Sequence, residues 1–250
     1  MGLRDSERLL NIKGGFAVDR YQEIDIALRK HNISRLCHMT QIDKLFSILY
    51  GDNGIWASDF YKGSVMYRND MERRDGQTEY ISTSIEYPNV WYYNTKKNVN
   101  PKVNTWAVLF IEPEVCKADS TLFCPINSAS SQGRYIGDGV ENLNRAFENT
   151  VGFRHRTPTM FDCCPTDDQA EVLVYRHIPV NAICGLAFET EAIVRVMHEL
   201  FDKYGVRYPN LYASRDLFTT GMSSMIRHGI RPYEYMIIRG NRECDISRCA

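Results

Sequence analysis

Six consecutive apolar residues, Trp106 to Ile111 (Trp-Ala-Val-Leu-Phe-Ile), constrain this chain more than any other stretch. A strand with one face in water alternates apolar and polar side chains. An unbroken apolar run of this length, closed by Pro113, reads instead as a buried strand. Further strands are expected at Arg35 to Met39, Glu79 to Ile85, Leu122 to Ile126, Glu171 to Tyr175, Ile183 to Phe188 and Tyr235 to Ile238. Helical spacing appears in Tyr21 to Lys30, with Tyr21, Ile24, Ala27 and Leu28 on one face. Thr40 reads as the N-cap of a second helix, with Asp43 as its capping-box partner, and that helix uses Ile42, Leu45, Phe46 and Leu49. A short aromatic helix or turn starts at Val90. Val140 to Asn149 carries Leu143, Ala146 and Phe147, and Thr190 to Tyr204 carries Ile193, Val196, Met197, Leu200 and Phe201. Long polar loops separate these elements at 52–78, 94–102, 128–139 and 154–168. With no repeat, low-complexity linker or composition shift, residues 1–250 read as a single α+β domain with the helix at 21–30 packed on it.

The formal net charge of −1 gives no global attraction to nucleic acid or to an acidic membrane, and leaves a local basic patch open. No run of about 18 apolar residues is present, and Met1 to Leu10 is charged without an apolar core, so neither a membrane span nor a secretory signal is expected. Met1 to Ser6 matches the N-myristoylation pattern, which is short enough to arise by chance. The eight cysteines (Cys37, Cys116, Cys124, Cys163, Cys164, Cys184, Cys244 and Cys249) form no CxxC pair and no regular spacing. They suggest neither a zinc site nor a disulfide scaffold, and they favour a reducing cytoplasm. Cys37 and Cys184 lie in apolar runs and read as core.

Dinucleotide-binding, Walker A, HExxH and GxSxG signatures are absent. Three blocks remain. In His38-Met39-Thr40, alternation along a strand puts His38 and Thr40 on one face; such a histidine is commonly structural. In Ser82-Thr83-Ser84 two hydroxyls share a face, and Trp91-Tyr92-Tyr93 follows within about ten residues. In Gln169-Ala170-Glu171, entering a strand, alternation would turn Gln169 and Glu171 to one side and Ala170 and Val172 to the core. Strand-edge carboxylates are usually just solvated.

The order of these blocks resembles the NAD-dependent ADP-ribosyltransferases, and within them the DarT-type toxins that modify nucleobases. The likeness rests on His38 to Leu49 (HMTQIDKLFSIL), Gly54-Ile55-Trp56-Ala57-Ser58 and Gln169-Ala170-Glu171-Val172-Leu173-Val174. It extends over about Arg35 to Thr190. Where DarT-type chains carry an aromatic-proline stretch, this chain has Tyr80-Ile81-Ser82-Thr83-Ser84. The resemblance implies a split antiparallel sheet with flanking helices and long loops. It also implies transfer of ADP-ribose from NAD, as co-substrate and without a metal, to a nucleobase of single-stranded DNA. Acceptors in RNA or on a protein side chain stay open, as does an inert nucleic-acid- or partner-binding domain. Glu171 would hydrogen-bond the ribose hydroxyl at an oxocarbenium-like centre and serve as base toward the acceptor nitrogen. An arginine of the 68–74 loop, Arg68 or Arg73 ahead of Arg74, would offset the diphosphate charge. His38 and Thr40 would hold the cofactor, Ser82 would orient it or Glu171, and Tyr92, Tyr93 or Trp91 would stack on nicotinamide or pack beneath it. The loop before the catalytic strand would read the acceptor through Gln169, Arg154, Arg156 and Phe161, with Met160 as a second stacking side chain. A toxin role in phage defence and an antitoxin protein partner are implied with the family.

Overall fold

The computed structural model describes residues 19–51, 53–61, 75–97 and 105–242. In chain order the elements are α1 (Arg20–Lys30), β1 (Leu36–Gln41), β2 (Gly54–Trp56), β3 (Tyr80–Ile85), α2 (Val90–Lys96), β4 (Trp106–Ile111), β5 (Leu122–Cys124) and α3 (Gly139–Arg145). There follow β6 (Thr150–Val151), β7 (Arg154–His155), β8 (Glu171–Tyr175), β9 (His177–Pro179), β10 (Ile183–Phe188), α4 (Glu191–Lys203), β11 (Asn210–Ala213), α5 (Gly221–Arg227) and β12 (Tyr235–Ile238). Eight strands form one sheet in the order β12-β11-β10-β4-β1-β3-β8-β5. Every pair is antiparallel except β10 with β11, which α4 connects.

The apolar run of β4 has its explanation in this order. β4 lies inside the sheet between β1 and β10, and both of its faces are covered. Ala107, Leu109 and Ile111 pack into a core shared with α1 and α4, while Trp106, Val108 and Phe110 enter a second core with Tyr93, Phe218 and Met222. Each large side chain buried in this way contributes on the order of 1.5–3 kcal/mol. Gly185 on β10 leaves room for this packing, since a Cβ there would lie 2.6 Å from the Phe110 ring.

α1 buries Ile24, Ala27 and Leu28 as its spacing predicts, and Asp19 caps it by accepting from the Gln22 N–H at 2.8 Å. Tyr21 is exposed instead, beneath the Lys117 ammonium. In α4 the buried stripe is Val194, Met197 and Phe201, so Val196 faces outward.

The predicted helix after Thr40 differs most. Thr40 is no cap: it and Gln41 continue β1, pairing with Ala107 and Trp106. The ladder to β4 holds the backbone extended where a cap would have turned it. A 3₁₀ turn (Ile42–Lys44) and a π-helical turn (Ser47–Gly51) follow in place of one regular α-helix. Leu45, Ile48 and Leu49 are buried. The helix at Val140 ends at Arg145, and the loop expected from Arg154 begins as the second strand of the β6–β7 hairpin. Cys37 is buried, Cys184 only half-buried, and the six cysteines within the described residues are free thiols. Among the described residues no helix is long and apolar enough to cross a membrane.

Candidate active site

The cavity begins with an interrupted pairing. β1 pairs with β4 through all six residues, and β3 pairs with β8 through five. β1 and β3 pair with each other only at Leu36–Ile85 and Cys37–Ser84. Beyond those pairs the two strands diverge, and the sheet splits around a cavity of about 420 Å³. Its walls are His38 and Thr40 of β1, Lys44 and Ser47 of the helical turns, Ile55 and Trp56 of β2, Ser82 and Ser84 of β3, and Tyr92 and Lys96 of α2. Glu171 and Ser128 complete it.

Glu171 opens β8 with a side chain only 6% exposed. Ser82 donates its hydroxyl to Oε2, Ser128 donates its hydroxyl to the same oxygen at 2.8 Å, and the Ser128 N–H reaches Oε1 at 3.2 Å. Burial pushes the carboxyl above its ordinary range, the serine hydrogen bonds pull it back, and the nearby charge of Asp75 pushes it up again. A carboxylate poised in this way is a stronger base than a solvated one. Asp75 itself lies beside Ser128, whose hydroxyl is 3.1 Å from Asp75 Oδ2.

The three hydroxyls of Ser82-Thr83-Ser84 divide the work. Ser82 meets Glu171. Thr83, on the opposite face, donates to the Val172 carbonyl at 2.8 Å. Ser84 accepts from the Asn89 N–H at 3.0 Å, and Asn89 caps α2 by accepting from the Tyr92 N–H. A serine on β3 thereby fixes the start of the helix that carries Tyr92 into the cavity. His38 Nδ1 donates to the Ser82 carbonyl at 2.9 Å, which assigns the proton to that nitrogen.

The expected residues do not all converge. Glu171, His38, Thr40, Ser82 and Tyr92 line the cavity. Tyr93 points away into the second core, edge-on to Trp106 at 5.9 Å and to Phe218 at 5.6 Å. Trp91 ties α2 to the turn before β8 by donating to Asp168 at 2.9 Å. Gln169 lies in that turn and does not line the cavity. Asp167 accepts its backbone N–H at 2.9 Å, so the alternation of a strand starts only at Glu171. Arg156 donates to the carbonyls of Phe161 and Cys164, bracing its own loop. Phe161 lies under Arg231 in a second depression with Met160 and Asn32, and Arg154, in β7, does not line the cavity either. Arg68, Arg73 and Arg74 lie outside the described residues.

Ser128, Asp75 and Lys44 are additions. Ser128 heads the Ser/Gly-rich stretch, and nothing in that composition marks its partner. The register does: Cys124 of β5 sits opposite Glu171, and four residues later the chain is back at that carboxylate. Lys44 is 5% exposed in the cavity wall. Among the described residues no three His, Cys, Asp or Glu side chains gather as a metal site.

A family model described as DarT, ssDNA thymidine ADP-ribosyltransferase, matches residues 37–219. The fold is similar to that of Thermus sp. 2.9 DarT in complex with NAD+, at 15% identity and a TM-score of 0.53, over 74% of this chain and 98% of that one. Thermus sp. 2.9 DarT in complex with ADP-ribosylated ssDNA is similar at 16% identity and a TM-score of 0.53, over 75% and 97%. Among curated proteins no sequence matches.

Proposed function

The chain belongs to the DarT family of ssDNA thymidine ADP-ribosyltransferases, and on that premise we propose that it moves ADP-ribose from NAD to thymidine in single-stranded DNA, with Glu171 as the central residue. One observation carries the assignment of Glu171: it is a buried carboxylate of the cavity wall, held there by hydrogen bonds from both Ser82 and Ser128.

The cavity suits the co-substrate. Its volume lies within the range of about 300–1,000 Å³ usual for small-molecule sites. Hydroxyl, imidazole and ammonium groups meet there, a donor set for a polyhydroxylated anion. NAD brings a ribose whose bond to nicotinamide breaks with oxocarbenium-like charge development. Glu171 would hold a ribose hydroxyl and stabilise that charge. It would then accept the proton of the attacking thymine nitrogen. His38 and Thr40 would orient the cofactor, with Tyr92 as the aromatic wall and Tyr93 packed beneath. Lys44 would meet the diphosphate beside an arginine of the 68–74 loop.

We extend the reading to the described residues as one catalytic domain that includes α1, whose buried face joins the main core. The six free cysteines among the described residues support a reducing, cytoplasmic setting. A toxin role brings with it an antitoxin partner, either a hydrolase that removes the mark or a direct inhibitor. The loop 154–168 keeps its place as the acceptor-side loop on position alone.

The test is incubation with labelled NAD and three oligonucleotides: single-stranded DNA with thymidine, the same DNA without it, and RNA. Label is expected on the first alone, and Glu171→Gln is expected to reduce transfer by about 10²–10⁴-fold. Active wild-type protein that labels no thymidine, or full transfer by the Glu171 variant, defeats the reading.

A further inference from the structure

The cavity of about 420 Å³ has the size of a small-molecule site, so a DNA strand has to dock at its rim. Two pieces of that rim meet just before β8. Trp91, the neighbour of the cavity-lining Tyr92 on α2, donates to Asp168, which shortly precedes Glu171. The chain arriving at this point is the long loop between β7 and β8. Loops of this kind are usually functional or loose. This one is tied down along its whole length.

Arg227, the last residue of α5, holds both of its ends. One guanidinium nitrogen donates to the His155 carbonyl at 2.9 Å and the other to the Thr166 carbonyl at 2.9 Å. The Arg227 carbonyl in turn accepts from the hydroxyls of Thr157 at 2.5 Å and Thr159 at 2.7 Å. In the middle of the loop Arg156 donates to the Phe161 and Cys164 carbonyls, while Met160, Cys163 and Cys164 enter the second core. α5 is rooted in that same core through Met222 and Ile226, so the guanidinium reaches out from a fixed base. Just past α5 the chain runs against the loop. Gly229 has a φ of +69°, and a Cβ there would lie 2.7 Å from the Thr159 carbonyl oxygen.

Glu171 has supports of its own. β8 pairs with β3 and β5, and Ser82 and Ser128 hold the carboxylate. Loosening the loop therefore falls on the rim and spares the base. We propose that Arg227 is a positioning residue for the acceptor: it holds the segment 155–166 as a preformed platform on which the DNA strand docks before its base reaches the cavity.

A platform ordered before the strand arrives costs no ordering entropy on binding. The planar fork of arginine reaches two carbonyls at once, whereas a lysine ammonium is a single point charge. That difference separates bracing from a direct phosphate contact, which lysine would preserve.

The acceptor role rests on the transferase reading above; the brace does not. Binding is measured by anisotropy of a fluorescein-labelled thymidine oligonucleotide and, for NAD, by calorimetry. Arg227→Met and Arg227→Lys are both expected to weaken DNA binding by about tenfold, with NAD affinity changed less than threefold. The salt dependence of DNA binding is expected to keep its wild-type slope, since no phosphate contact is lost. Thr157→Val, which removes one hydroxyl from the Arg227 carbonyl, is expected to act in the same direction by less. Hydrogen exchange of the free protein reads the brace directly: in Arg227→Met the amides of 157–166 are expected to exchange about tenfold faster or more, and those of β3 and β8 at wild-type rates. A Lys variant with wild-type DNA affinity, a Met variant whose NAD affinity falls as far as its DNA affinity, or loop amides that exchange no faster overturns the proposal. A wild type that binds both ligands and transfers no label condemns only the transferase reading.

Discussion

At the scale of single residues, two of the ionisable groups lining the cavity are kept away from their ordinary behaviour for the same reason. Burial disfavours charge, so it raises the Glu171 carboxyl and lowers the Lys44 ammonium, the latter to about 8 with Asp43 pulling it back up. The two shifts move in opposite senses as proton affinities, yet both favour the neutral form. For Lys44 the sign gives a testable dependence. The ammonium is present below about 8 and is lost above it. If it meets the NAD diphosphate, affinity for NAD falls as pH rises from 7 to 9. Lys44→Met is expected to weaken binding at pH 7 by about 10–100-fold and to flatten that pH dependence. Titration calorimetry across this range checks it; a Met variant with the wild-type dependence removes Lys44 from the diphosphate. Tyr93 gives the contrast. It neighbours Tyr92 in sequence, but a helix turns consecutive side chains by about 100°, and Tyr93 serves the core behind Trp106.

At the scale of elements, the site exists because β1 and β3 share only two register pairs, while β1 pairs with β4 at all six residues and β3 with β8 at five of six. The short β2 supplies the cavity's outer wall and pairs with β9, where Trp56 stacks on His177 at 4.0 Å. That pairing needs Gly54. Its φ is +131°, and a Cβ there would lie 2.1 Å from the Ile178 carbonyl oxygen. Gly54→Ala is therefore expected to destabilise the protein by about 1–3 kcal/mol and to raise the KM for NAD; urea unfolding and initial rates measure the two. Several elements are legible in the chain itself. β4 and β10 are continuous apolar runs, and α1 and α4 show period 3.6. The exceptions have two causes. Thr40 and Gln169 carry local signals, for a cap and for strand alternation, and distant partners overrule the first while a side-chain turn overrules the second. Ser128 reaches Glu171 and Asp75 across 43 and 53 residues of sequence, and no short-range pattern encodes those contacts.

At the scale of the whole molecule, the sheet is clamped across its width. Arg35, just before β1, donates to Glu234, just before the edge strand β12, at 2.7 Å, and its guanidinium stacks 3.8 Å from the Phe110 ring centroid. Both partners are largely buried, with side chains 15% and 17% exposed. Removing one leaves the other as an unpaired buried charge, so Glu234→Ala is expected to cost about 3–5 kcal/mol. Guanidinium unfolding checks this; a loss below 1 kcal/mol shows that the clamp is ornamental. The same long reach bears on when a growing chain could act. Ser82 and Glu171 are 89 residues apart. At roughly 5–20 residues per second, synthesis separates them by on the order of 10 s. On the proposed role of Glu171, the nascent chain in that interval carries β1 and β3 without the carboxylate that would act as base. Transfer by a growing chain would then wait for β8, a strand made well after the β3 it pairs with.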